Sequence, residues 1–234
     1  MRTGFLIRPE GLVPYGVAYR AMHDLASRRL RDEIPDTLIL LEHPPTYTAG
    51  KRWRPEHLRW AEDAMVAAGA ELHFVDRGGS VTFHGPGQLV GYPIVDLGVH
   101  PDVVGYVRKL EEVVIRACAD AGITGLARNP VNSGVWSADR KVCAIGIRVE
   151  RARVTLHGFA LNCSTDLGWF DAIVPCGLSE HRVAALSEVA GRQVTVEEMA
   201  DHILRRFSRA FDASIARATE PSLNDLFLPT PASA

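Results

Sequence analysis

Between residues 77 and 89 the chain reads Arg-Gly-Gly-Ser-Val-Thr-Phe-His-Gly-Pro-Gly-Gln-Leu. No other stretch limits the fold so tightly. Glycine admits backbone angles, and close approach of a second group to the main chain, that other residues refuse. Residues 72–75 before it and 89–97 after it are apolar enough to be strands. A Gly/Pro-rich hairpin with incidental polar residues would account for a lone Gly-Gly. The density of glycine around Arg77, Thr82 and His84 points instead to a binding loop held between strands.

The rest of the chain alternates helical and strand-like spacing. Residues 15–33 form an amphipathic helix with Val17, Ala21, Leu25 and Ala26 on one side, broken by Pro35. Residues 37–41 are a buried strand, and 42–50 read as an irregular loop. Asp102 is placed to cap a helix running to about residue 121, where Gly122 stops it. Residues 141–149 and 154–162 form an antiparallel hairpin across an arginine-containing turn. Thr195 and Glu198 make a capping box ahead of a helix carrying Val196, Met199, Ile203, Leu204, Phe207 and Phe211 on one face. This order predicts a single mixed α/β domain over residues 1–215. The Pro/Ser/Ala-rich residues 216–234 are expected to be a poorly ordered tail.

At 234 residues the chain suits one domain with a sizeable core. A net charge of −2 gives no reason to expect nucleic acid or an anionic membrane as partner. No apolar run reaches the length of a membrane span, and the N-terminus lacks the long apolar region of a signal peptide. A cytoplasmic protein is expected. The four cysteines are widely spaced with no CxxC pair, which argues against a zinc cluster and for free thiols.

Three of those thiols, Cys118, Cys143 and Cys163, lie in helix or strand patterns where a cysteine packs as a small hydrophobe. Cys176 differs, being bracketed by Pro175 and Gly177, which mark a tight loop able to present a thiol to a cleft. A free thiol has a pKa of about 8.5, and a cation within about 4–6 Å lowers it by roughly one to three units. Lys141, His84, His157 and several arginines are candidates for that cation, and the sequence does not choose among them.

Taken in order, four patterns resemble the lipoyl(octanoyl) transferase family. They are Leu41-Glu42-His43-Pro44 with Tyr47-Thr48-Ala49-Gly50; residues 77–93; Lys141 with Ala144-Ile145-Gly146; and residues 157–162 followed by Pro175-Cys176-Gly177. The resemblance covers most of the chain. It implies the fold of biotin and lipoate ligases, and a ping-pong acyl transfer without metal or cofactor. Cys176 would take an octanoyl group from octanoyl acyl carrier protein, with Lys141 lowering its pKa and moving protons. The acceptors implied are lysines on lipoyl domains of 2-oxoacid dehydrogenase E2 subunits and on the glycine cleavage H protein. The substrate-binding residues implied are Arg77, Gly78, Gly79, Ser80, Val81, Thr82, Phe83 and His84, with Ala144, Ile145, Gly146, Gly158, Phe159 and Ala160. Backbone N–H groups near Gly177 would hold the oxyanion.

Cys143 stands where the family more often has alanine. Two residues beyond Lys141, it is expected on the same strand face, close enough to pair with Cys176. Three other readings remain to be weighed. An ATP-dependent lipoate or biotin ligase shares the fold but needs no nucleophilic thiol. A non-catalytic module that docks lipoyl domains or carrier proteins would be indifferent to Cys176. A cysteine hydrolase would pair its thiol with His84 or His157. For docking an acidic carrier, the basic candidates are Lys51, Arg52 and Arg54, or Arg148, Arg151 and Arg153.

Overall fold

The computed structural model describes residues 2–130, 132–174, 182–218, 223 and 225–227. Pro175, Cys176 and Gly177, the loop singled out from the sequence, lie outside the described residues. The chain begins with β1 (Arg2–Ile7), α1 (Tyr15–Leu30), β2 (Asp36–Leu41) and β3 (Thr46–Ala49). A 3-10 turn (Pro55–His57) and α2 (Glu62–Ala67) lead to β4 (Glu71–Phe74), β5 (Val81–His84) and β6 (Gln88–Ile94). Next come α3 (Val103–Asp120), β7 (Leu126–Arg128), β8 (Gly134–Ser137), β9 (Arg140–Glu150) and β10 (Val154–Asn162). A second 3-10 turn (Leu167–Ala172) precedes β11 (Arg182–Val183), α4 (Leu186–Ala190), α5 (Val196–Ala210) and β12 (Ala213–Arg217).

The larger sheet runs β12-β1-β2-β6-β10-β9-β8-β7, with β11 alongside β9. It is mixed: β1 is parallel to both neighbours, and from β2 to β7 each pair is antiparallel. Period-two alternation gives this sheet two apolar faces. On β2, Leu38 and Leu40 join the core built with α3 and α5, while Ile39 and Leu41 join the core under α1. Helices α3 and α5 are capped by the residues expected, although the Glu198 side chain pairs with Arg192 instead of closing the capping box. Asp102 accepts from the Gly105 N–H at 2.8 Å, and Thr195 from the Glu198 N–H at 3.1 Å. Each such cap stabilises its helix by about 1 kcal/mol.

A small second sheet, β4-β3-β5, carries the glycine segment. Here the expected irregular loop over 42–50 is corrected, because Thr46–Ala49 is the buried central strand of that sheet. The flanking prolines and Gly50 read as loop, and only pairing with β4 and β5 makes the short Thr-Tyr-Thr-Ala run a strand. Helix α1 stops at Leu30 rather than residue 33, where Asp32 turns the chain at φ 57°. Residue 215 falls inside β12, and Leu223 and Phe227 beyond it are buried in the core under α1.

Candidate active site

The two sheets enclose a cleft of about 780 Å³, within the range of small-molecule sites. Arg77, Gly78, Gly79, Ser80, Val81, Thr82 and His84 form one wall; Lys141, Ala144, Ile145 and Gly146 come from β9, and Gly158, Phe159 and Ala160 from β10. Residues separated by eighty positions in sequence thus face one space. Phe83 is the exception. Its side chain is fully buried on the other side of β5, stacked on Trp169 and packed edge-on to Phe170. Alternation along β5 turns it away from the cleft.

The glycine segment is fixed by its arginine. Arg77 is buried, and its Nε and both terminal nitrogens donate to Thr48 Oγ1, Thr48 O, Gly78 O and Ser80 O, between 2.5 and 3.3 Å. All five N–H donors of a guanidinium are occupied by such a set, so Arg77 shapes the loop from within. Gly79 sits at φ 90°, a region that a side chain resists.

From Arg77 a chain of hydrogen bonds crosses the domain. The Thr48 hydroxyl meets His84 Nε2 at 3.2 Å, and His84 Nδ1 meets Gln88 Oε1 at 2.9 Å. The Gln88 amide donates to Phe83 O and Asn162 Oδ1, and Asn162 donates to Ala184 O. Both ring nitrogens of His84 are therefore committed. Burial above all, helped by the neighbouring His43 and the Arg77 charge, holds its pKa well below the ordinary value. His157 is similar. Its Nε2 donates to Asp76 Oδ1 at 2.7 Å, Asp76 is also paired with Arg148, and burial with the Arg77 charge pushes the imidazole down to about 3. Two of the three named candidates for a cation beside the thiol are thus neutral imidazoles. Lys141 and the arginines are the candidates that remain.

Lys141 lies near the start of β9 and is 6% exposed. Its Nζ donates to Asn132 Oδ1 at 3.2 Å and stands 4.7 Å from the centre of the Trp136 ring, a cation–π distance. The loop bearing Asn132 is anchored by Glu111, a fully buried carboxylate on α3. Glu111 accepts from the Gly134 N–H at 2.9 Å and pairs with Arg108 and Arg128.

The expected placement of Cys143 beside Lys141 is corrected. Val135 pairs with Cys143 and Trp136 with Lys141, so Val142 is an extra residue, a β-bulge. The bulge shifts the alternation by one. Lys141 and Ala144 line the cleft, while Val142 and Cys143 are fully buried in the core against α3. Cys118 and Cys163 are buried too.

Sequence reasoning missed several cleft residues. Tyr15 and Tyr92 lie deep in it; Arg52, Arg54 and His57 come from the loop after β3, and Asn132 from that before β8. His43 secures the floor. Its Nδ1 donates to Val13 O at 2.6 Å and its Nε2 accepts from the Tyr92 hydroxyl at 2.7 Å. His43 and Asn162 belong to the quoted motifs, a signal that was present. Nothing local marks Tyr15 or His57, and Arg52 and Arg54 were expected only as docking charges, not as cleft lining.

This mixed sheet with its cleft is the fold of a protein ligase for lipoyl groups. The bi-partite lipoate protein ligase of Thermoplasma acidophilum, studied with its E2 lipoyl domain, superposes with a TM-score of 0.76 at 17% identity, over 97% of this chain and 91% of that one. The model of the lipoyl protein ligase A/B catalytic domain matches residues 14–208. The octanoyltransferase of Acidothermus cellulolyticus is 49% identical over 205 residues, 85% of this chain and 88% of its own. That of Rubrobacter xylanophilus is 47% identical over 201 residues, 86% and 90%. The chain belongs to the lipoyl protein ligase A/B catalytic-domain family and, within it, to the octanoyltransferases, which are acyltransferases.

Proposed function

We propose that octanoyl transfer by this chain proceeds in two steps through a thioester on Cys176, from octanoyl acyl carrier protein to a lysine of a lipoyl domain, on E2 subunits and on the glycine cleavage H protein. The observation that carries this reading is the anchoring of the chain on both sides of residues 175–181. Val174 N–H donates to His57 O at 2.8 Å, and Ala184 N–H donates to Lys141 O at 3.0 Å, with Val183 paired beside Lys141. Both anchors, His57 and Lys141, line the cleft. The other three thiols are buried, which supports the role that the family resemblance implies for Cys176.

In the first step the thiolate attacks the donor's thioester carbon. The C–S bond to the carrier breaks, and the departing thiolate takes a proton. In the second step a neutral lysine amine attacks the acyl-enzyme, an amide forms, and Cys176 leaves as thiolate. The Lys141 ammonium stabilises the thiolate of the free enzyme and gives its proton to the departing carrier thiolate. The neutral Lys141 amine left in the acyl-enzyme then receives the proton that the acceptor amine sheds, which restores the ammonium beside the released Cys176 thiolate. The lysine acceptor agrees with the lipoyl domain studied with the Thermoplasma ligase. The fold is common to ligases and transferases, so it does not separate them; identity near one half with octanoyltransferases does.

Mass spectrometry after mixing with octanoyl carrier protein, without ATP, tests the reading. One hydroxylamine-labile octanoyl group is expected per chain, none on Cys176→Ser, and acylation about 100-fold slower or more in Lys141→Ala. Failure to label, with amide formation strictly dependent on ATP, replaces it with a ligase. Transfer that survives both substitutions replaces it with a non-catalytic role for these residues.

A further inference from the structure

The cleft has a charge pattern that its acyl chemistry alone does not require. Arg52, Arg54, Arg77 and Lys141 line it, and among the described residues no aspartate or glutamate does. Arg52 and Arg54 belong to a basic ridge on the loop after β3. Residues 51–60 hold Lys51, Arg52, Arg54 and Arg59 against one carboxylate, Glu56, in a chain of net charge −2. All four cations are exposed. Lys51, Arg52 and Arg59 make no ion pair among the described residues, and Arg54 reaches Glu56 only at 3.8 Å. Two of the three arginines at the β9–β10 turn are spent differently, and Arg151 is exposed there without an ion pair among the described residues. Arg148 is paired with Asp76 and Glu150, and Arg153 with Asp96 and Asp32.

The ridge is held rigidly to the glycine segment. Gly50, Lys51 and Arg52 N–H groups donate to Ser80 O, Arg77 O and Gly79 O, each at 3.0 Å. Trp53 packs on Phe74 at 5.0 Å between ring centres. His57 Nδ1 accepts from both the Arg54 N–H and the Ser80 hydroxyl. Through His57 O the same loop holds Val174, two residues before Cys176 in the chain. Cations are therefore presented on a fixed frame at the wall of the cleft.

We infer that Arg52 and Arg54, with Lys51 and Arg59 outside them, dock the acyl donor, an acidic carrier whose thioester hangs from a phosphodiester-linked arm. This rests on the reading that the donor is octanoyl carrier protein. Carrier side chains meet the outer cations, and the phosphodiester follows the thioester in to Arg52 and Arg54. The acceptor suits this wall poorly. It must deliver a lysine, whose ammonium is repelled by four cations with no carboxylate to offset them. Rim charges of this kind act mainly on the rate of encounter, and salt weakens them.

The two half-reactions separate the possibilities in a variant carrying Arg52→Glu and Arg54→Glu. Its acylation by octanoyl carrier protein should fall about tenfold or more in kcat/KM and lose most of its salt dependence. Acylation by octanoyl N-acetylcysteamine, which has neither phosphate nor protein, should change about twofold or less. Transfer to a lipoyl domain from acyl-enzyme charged with that small donor should not fall, and relief of the repulsion should if anything speed it. Arg151→Glu, in the hairpin turn, should leave the carrier reaction unchanged. Equal losses with both donors overturn the inference, as does a loss confined to the lipoyl-domain step. A wild-type chain that takes octanoyl from neither donor overturns the two-step reading itself, a different result from either of these.

Discussion

Cys118, Cys143 and Cys163 are silent for one physical reason, the low polarity around each sulfur. Burial pushes the Cys118 thiol up to about 12 and raises those of Cys143 and Cys163 well above their ordinary value. A thiolate is the reactive species, so native-state alkylation at pH 8 should modify a single cysteine of the four, and none in Cys176→Ser. Peptide mapping checks this, and all four should react once urea unfolds the chain. Labelling of Cys143 in the folded state would contradict its place behind the bulge. Residue roles were legible in the sequence only where one residue type suffices. The position of Lys141 on the cleft wall followed from its motif. Whether His84 and His157 carry charge could not, because Thr48, Gln88 and Asp76 reach them from other segments. Arg77 likewise read as a ligand for substrate, yet its donors are turned onto the backbone of its own loop and of β3.

Between β6 and β10 the sheet depends on two glycines that oppose neighbouring residues. A methyl group at Gly158 would collide with the Gly91 carbonyl and lie 2.6 Å from the Pro93 ring, and one at Gly91 would enter the Phe159 ring. Gly158→Ala must therefore move main chain in the wall of the cleft, at a cost of about 1–3 kcal/mol. The urea midpoint should fall accordingly, and octanoyl transfer should drop in the fraction that stays folded. An unchanged midpoint would mean that the strands separate freely there. The motif His-Gly-Phe-Ala-Leu-Asn announced a special glycine, although its first duty is to the neighbouring strand rather than to a ligand. Long elements with a strong period, α3, α5 and the β9–β10 hairpin, were readable because their own residues decide them. The bulge at Val142 and the strand β3 were not. A bulge is defined by the partner strand's register, and four residues between prolines and a glycine become a strand only when two distant strands flank them.

At the scale of the molecule, the cleft is built on uncharged imidazoles, and that makes its stability depend on pH. His43, His84 and His157 are all buried. Burial is the main cause of each shift, taking His43 down to about 4 and His157 to about 3, with His84 well below its ordinary value. In the unfolded chain each titrates near 6.5. Below that pH the unfolded state binds protons that the folded state refuses. Stability is therefore complete above about pH 6.5 and is lost as the pH falls toward each folded value. For His43 alone the loss across its window is about 3 kcal/mol. At pH 5 each of His43 and His157 has given up about 2 kcal/mol, a large share of the roughly 5–15 kcal/mol that holds a domain together. Carboxylates such as Asp96, which Arg153 and Arg29 help hold below the ordinary value, act only at still lower pH. Urea midpoints should thus decline steeply from pH 6.5 to 5 with little change in slope, while the ring-proton signals of these histidines stay fixed in the folded state. A flat midpoint over that range would mean that the imidazoles protonate in place. The site should share the fate of the fold, because His84 and His157 line the cleft and His43 holds Tyr92 at its floor. Activity lost on brief acidification should coincide with loss of near-ultraviolet dichroism and return with refolding. Activity that fell a full pH unit before the dichroism would instead point to a titrating group in the reaction itself.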